Sequence, residues 1–88
     1  MTPVSESGNF KNITSTTTVF TGTGSIAGIF VASASNVPTI KVADSTTTVV
    51  NTFTPVAATF YRIPARFNTS LVVTISGTVD CTVFWNNS

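Results

Sequence analysis

Apolar positions along this chain recur in short runs with a period of two, separated by small, polar or proline-bearing segments. Ile13–Phe20 is β-branched and closes at Gly22-Thr23-Gly24. In Ser25–Ala32, Ile26, Gly28 and Phe30 alternate with Ala27, Ile29 and Val31. Both sets are apolar, so this strand is expected to be covered on both faces. Ser33–Pro38 reads as a loop punctuated by Asn36 and Pro38. Thr39–Ala43 places Ile40 and Val42 inward and Lys41 outward, and Asp44-Ser45-Thr46 reads as a turn in which the Asp carboxylate accepts from backbone amides.

Thr48–Thr54 puts Val49 and Phe53 on one face and ends at Pro55, since proline cannot donate to a central ladder. Thr59–Ile63 stops at Pro64. Leu71–Ser76 alternates cleanly, and Ser76-Gly77 gives a tight-turn signal followed directly by Val79–Trp85, which predicts a hairpin. The sum is about seven or eight short strands with turns every 8–12 residues, the spacing of a sandwich or small barrel. Residues 1–12 lack this periodicity and read as an extended N-terminal arm ahead of a single domain over 13–88. The motif Ser15-Thr16-Thr17-Thr18-Val19 recurs as Ser45-Thr46-Thr47-Thr48-Val49, but the register fades beyond it, so no solenoid is implied.

Composition sharpens this picture. Of 88 residues, 42% are hydrophobic and only 8% are charged, against about 25% in ordinary globular domains. Leu and Glu occur once each and Gln never. Val, Ile and Thr dominate; they lose χ1 freedom in helices and fit a pleated surface, which excludes a helix bundle. A domain this small has little stability margin, and the single Cys81 provides no intrachain disulfide. The polar surface is Thr, Ser and Asn, which is easily desolvated against hydrogen-bonding partners. An assembly subunit is therefore expected rather than a free monomer.

Candidate chemistry is sparse. The chain has no histidine and three carboxylates, Glu6, Asp44 and Asp80. A nucleophile with a positioned base has almost nothing to draw on, so no enzyme is expected. One Cys without His cannot ligate zinc, and no cofactor or metal is expected. Cys81 lies in phase with Val83 and Trp85 and reads as a buried apolar thiol. Gly22-Thr23-Gly24 leads into a strand, so it is a turn and not a phosphate loop. Four scattered cations, Lys11, Lys41, Arg62 and Arg66, are too few for nucleic acid. No apolar run approaches the roughly 20 residues of a membrane helix, and the polar first residues do not resemble a secretion signal. The triplets at Asn12, Asn68 and Asn86 are chance glycosylation matches in a chain so rich in Asn, Ser and Thr. Phe20, Phe30, Phe53, Phe60 and Phe84 are expected to be mostly core, while Tyr61 and Trp85 carry polar handles suited to boundaries.

From Gly22 onward the chain resembles a group of small all-β virion proteins of tailed bacteriophages. The likeness is carried by Gly22-Thr23-Gly24-Ser25-Ile26-Ala27-Gly28-Ile29-Phe30-Val31 and Thr39-Ile40-Lys41-Val42-Ala43-Asp44. It continues in Asn51-Thr52-Phe53-Thr54-Pro55, Phe60-Tyr61-Arg62-Ile63-Pro64 and Leu71–Val83. The chain departs from the group's pattern at Asn68-Thr69-Ser70, where a glycine before Leu71 is more usual, and at Cys81-Thr82. The resemblance implies a capsid decoration (cement) protein, or a related fibre base, on the phage head.

Pattern and resemblance together lead us to expect an all-β, single-domain β-sandwich of jelly-roll type. It is expected to be made in the host cytoplasm, to form a homotrimer and to fasten neighbouring major capsid proteins. Candidate contact residues are Phe10 and Lys11 of the arm, Ile29 and Val31 of the two-faced strand, and Tyr61, Arg62 and Trp85. Deleting residues 2–12 is expected to weaken capsid attachment and leave the fold intact. The alternative is a carbohydrate-binding or fibre-base module of an adsorption structure, which needs an exposed aromatic strip. An ice-binding Thr array ranks low, because Thr21-Gly22-Thr23 and Thr52-Phe53-Thr54 are isolated.

Overall fold

The computed structural model describes residues 8–87. These form one antiparallel six-stranded sheet and no helix: β1 (Asn9–Ile13), β2 (Thr17–Thr21), β3 (Gly24–Asp44), β4 (Thr47–Phe53), β5 (Thr59–Phe67) and β6 (Ser70–Asn87). The fold is all-β.

Two long strands form its spine. β3 has 21 residues and β6 has 18, and they pair from Gly24↔Asn87 to Asp44↔Leu71. β1 and β2 flank β6 at its two ends, and β5 and β4 flank β3 in the same way. One half of the sheet therefore runs β1-β6-β3-β5 and the other β2-β6-β3-β4. A straight strand the length of β3 would span about 70 Å, yet the longest dimension of the molecule is 42 Å. The spine must bend.

The bend lies where the β3–β6 register jumps between Ser35↔Thr78 and Thr39↔Ser76. Here β3 loops out Asn36 and Val37 with φ of 61° and 55°, and Gly77 lies opposite with φ 78°. A Cβ at Gly77 would sit 2.6 Å from the Asn36 carbonyl oxygen and 2.8 Å from that of Val37. The glycine signal therefore marks a kink within β6, and the hairpin expected over Leu71–Trp85 is a single strand. The loop expected over Ser33–Pro38 is the matching bulge in β3. In both places a local turn signal is used to bend a paired strand.

The bend lets the two halves close over one core. Phe20 of β2 pairs beside Leu71, and Trp85 would be about 46 Å further along a straight β6. Instead the Phe20 and Trp85 rings are 6.1 Å apart, and Phe20 meets Phe67 of β5 at 6.0 Å. Phe53 of β4 likewise reaches Tyr61 of β5 at 5.0 Å. Ile29, Val31, Ile40, Val42, Leu71, Val73 and Val83 are completely buried between them. Among the described residues no polar or charged residue is buried. Each such aliphatic contributes about 1.5–3 kcal/mol over its exposed state.

Bulges also revise the inner and outer assignments. Ala27 is an extra residue between Ile26↔Trp85 and Gly28↔Phe84. The alternation shifts there, so Ile26 joins Ile29 and Val31 in the core instead of facing away from them. β5 runs through Pro64 to Phe67 instead of stopping, because Pro64 falls where the β3–β5 register breaks and no N–H is needed. Residues 9–12, expected in a free arm, pair with Thr82–Trp85 of β6, and the strand they begin ends on core residue Ile13. Their removal would expose one side of β6, so deleting residues 2–12 takes most of a paired edge strand from the sheet. The remainder of that arm, residues 1–7, lies outside the described residues.

One end is tied by a carboxylate. Asp44 Oδ2 accepts from Asn68 N–H (2.9 Å), and Oδ1 accepts from Thr69 N–H (2.9 Å) and Ser70 N–H (3.2 Å). Ser45 N–H donates to the Ser70 carbonyl and Gly22 N–H to that of Thr69. Three connections thus meet there. The expected amide contacts of Asp44 exist, but they cross to a distant loop. Asn68-Thr69-Ser70 supplies that loop's donors.

Two outcomes follow from these contacts. Gly77→Ala should lower unfolding stability by about 1–3 kcal/mol or more, because it adds strain at a left-handed residue and a clash with backbone. Urea denaturation would read this as a lower midpoint, and an unchanged midpoint would contradict the kink geometry. The Asn68, Thr69 and Ser70 N–H groups, in that order, hold the Asp44 carboxyl below its usual range. Its stabilisation is therefore present above about pH 4 and lost as pH falls through the lowered folded value. Melting temperature recorded from pH 6 to pH 2 should fall on the acid side, and Asp44→Ala should lack that part of the fall.

Candidate interaction surface

The outer face of the β1-β6-β3-β5 half is built from alternate residues of four strands. Across it run two rows, Phe10–Phe84–Gly28–Arg62 and Asn12–Thr82–Phe30–Phe60. Their neighbours in sequence, Val83, Ile29 and Val31, point into the core. Phe10 is 65% exposed, Phe60 51% and Phe30 39%, and Phe84 is half-buried among them. A phenylalanine offers roughly 200 Å², so the three exposed rings present about 300 Å² of apolar surface.

Gly28 shapes this surface. A Cβ there would lie 2.5 Å from Phe60 Cζ and 2.6 Å from the Tyr61 carbonyl oxygen. Without one, the Phe60 ring leans over β3 and meets Phe84 edge-on, with centroids 6.2 Å apart. Thr82 Oγ1 donates to Asn12 Oδ1 at 2.6 Å, which pairs these two polar side chains with each other beside the rings. The face is therefore apolar and fixed, with Arg62 at one side.

The expected contact residues divide here. Phe10, Lys11 and Arg62 are exposed. Tyr61 is half-buried; its ring packs on Phe53 and its hydroxyl accepts from Val56 N–H at 2.8 Å. Ile29 and Val31 are fully buried and Trp85 is 9% exposed, so these three serve the core and cannot meet a partner. The strand carrying Ile29 and Val31 is apolar on both faces, but its outward residue is Phe30. The Trp85 indole N–H has no acceptor among the described residues.

The sequence reading also missed Phe30, Phe60 and Phe84 as surface residues. Both parities of these strands are apolar, so alternation alone cannot choose the outer set. The one available signal was Gly28 in mid-strand, a position where another group approaches closely.

Beside this face, between β4 and β5, is a groove of about 570 Å³ walled by Val49, Val50, Phe53, Tyr61, Ile63 and Ala65. Among the described residues, Arg62 is the one charged group that lines it. Among the described residues, no cluster of His, Cys, Asp or Glu is placed to hold a metal ion. Cys81 is 1% exposed, and burial first, then the neighbouring Asp80 charge, pushes its thiol up to about 11. It is protonated at neutral pH and shielded. No protein-family model, curated protein or solved structure matches the chain.

The thiol gives a direct check of this packing. Ellman's reagent at pH 8 should leave the native protein unmodified and titrate one equivalent once urea unfolds it. Prompt labelling of the native protein would show that β6 is open at Cys81.

Proposed function

We propose that this chain is a non-enzymatic structural virion protein, a decoration protein on the outer surface of a tailed-phage head. It fastens neighbouring major capsid proteins and acts as a homotrimer. The observation that carries this reading is the fixed aromatic face of Phe10, Phe30, Phe60 and Phe84 on a chain with almost no charge. At about 300 Å² this face matches the largest apolar patches of ordinary monomers, which are often functional sites, and rings held against one another suit contact with another protein. In this reading the two four-stranded halves are the layers of a β-sandwich of jelly-roll type. The sequence resemblance to phage decoration proteins supports the same assignment.

The arithmetic favours an oligomer. A standard interface buries about 800 Å² per partner. If half is apolar, the two sides together contribute on the order of 20 kcal/mol at about 25 cal/mol/Å². Association costs about 4–15 kcal/mol before side-chain ordering and polar desolvation are added, so one copy keeps only part of that gain. Linked copies engaging several capsid sites gain roughly 10²–10⁴ in avidity.

The exposed rings also favour a second reading, a carbohydrate-binding or fibre-base module. Sugar platforms need rings lying flat with hydrogen-bonding groups beside them. Here the Phe60 and Phe84 planes meet at 60°, and the Asn12 and Thr82 side chains bond to each other. That geometry ranks the sugar reading second.

The test is to purify heads of the phage that encodes the chain and measure occupancy by co-sedimentation. The wild type should sediment with heads at a fixed stoichiometry. Phe10→Ser combined with Phe60→Ser should keep its circular dichroism spectrum and lose at least tenfold in occupancy. Wild-type protein absent from heads, with binding on a glycan array, would replace the decoration reading by the sugar one.

A further inference from the structure

The bulge that bends β3 also projects a side chain. Val37 has φ 55° and is 86% exposed. It is β-branched, for which a left-handed backbone is a true outlier, and it precedes Pro38, which favours an extended conformation. Strain of this kind persists only where the surroundings enforce it, and it concentrates at functional positions. Here Asn36 Nδ2 donates to Thr78 Oγ1 at 2.9 Å, and the Asn36 and Val37 carbonyls close over Gly77. The result is a rigid apolar knob held away from its own core.

The groove between β4 and β5 is the matching hollow. It is apolar and, at about 570 Å³, larger than one valine side chain needs, so it admits Val37 together with Pro38. The Tyr61 hydroxyl beside it is already engaged by Val56 N–H, which leaves little to orient a small polar ligand. The charges also match. Arg62 lines the groove, and exposed Asp80 stands on β6 near the knob, opposite Ser33. Neither has an ion-pair partner among the described residues.

Strand addition is the competing route to self-association, and the edges discourage it. β1 and β2 are five residues long, β4 pairs through two register breaks, and β5 carries Pro64 and two arginines. Short, bulged, charged or proline-bearing edges resist pairing with another chain.

We infer that copies of this chain join head to tail, with the Val37-Pro38 knob of one seated in the Phe53–Tyr61 groove of the next and Asp80 facing Arg62 across the junction. Knob and groove are unlike surfaces, so each copy both gives and receives, and the series closes into a ring if the rotation allows. This supplies the self-association that the decoration reading calls for. It is tested without phage heads, so this junction can fail while attachment to heads stands, and attachment can fail while the junction stands.

Sedimentation equilibrium of the purified chain at low salt is the test. The wild type should show a mass above that of a dimer that falls on dilution. Val37→Asn removes the knob and relieves the left-handed strain. It should sediment as a monomer, and its melting temperature at monomeric dilution should rise by about 4–8 °C. Arg62→Asp and Asp80→Arg each place like charges at the junction and should weaken association by about tenfold or more. Combined in one chain, the two substitutions again pair opposite charges at every junction and should recover it. A wild type that stays monomeric, a Val37→Asn that associates undiminished, or a double variant that fails to recover would each overturn the inference.

Discussion

The pairing of β3 with β6 governs this molecule. Every other strand hydrogen-bonds to one of these two, and none of the four flanking strands bonds to another. The ladder must stay paired and still bend enough for its ends to share a core. Gly77 and the Asn36–Val37 bulge resolve this conflict by placing extra backbone on one strand and removing a side chain from the other. The remaining features follow from that bend, including the Phe20–Trp85 contact, the Asp44 tie and the groove between β4 and β5.

Much of the fold was legible in the sequence. β-branched alternation gives the all-β class and the inward placement of Ile40, Val42, Leu71 and Val73. Divided at the bend, β3 and β6 account for eight strand segments, close to the number the turn spacing suggests. The connectivity was not legible. Ser76-Gly77 carries the same local signal whether the chain reverses or kinks, and only the partner strand decides. The face assignments failed for a related reason. A one-residue bulge at Ala27 inverts the pleat, and nothing local announces it. Of the contact residues, Phe10 and Arg62 were recognisable as exposed, whereas Ile29, Val31 and Trp85 were misplaced because both strand faces are apolar.

The distribution of polar groups explains how so little charge suffices. The core holds no buried polar residue among those described, so no ion pair is needed to satisfy one. The few charges lie where they have local work. Asp44 gathers three backbone donors at one end, while Arg62 and Arg66 line an edge strand that would otherwise attract another chain. Thr and Asn cover the remaining surface, frequently bonded to each other or to backbone, as in the paired contacts of Thr16 with both the N–H and the carbonyl of Ile75.

A largely aliphatic interior has a consequence for how the spine finds its alignment. Sliding β6 by two positions against β3 would still set Val beside Ile, and the oily centre would scarcely register the error. The Asn36–Val37 bulge, however, closes over Gly77, the one β6 residue without a Cβ, so a slide would drive a side chain into the Asn36 and Val37 carbonyls, as a notch on a key fits one lock. Accuracy of zippering is thereby assigned to irregular backbone instead of to side-chain identity. Conservative exchanges among Val, Ile and Leu should leave the alignment untouched, while a single inserted or deleted residue beside the notch would scramble it.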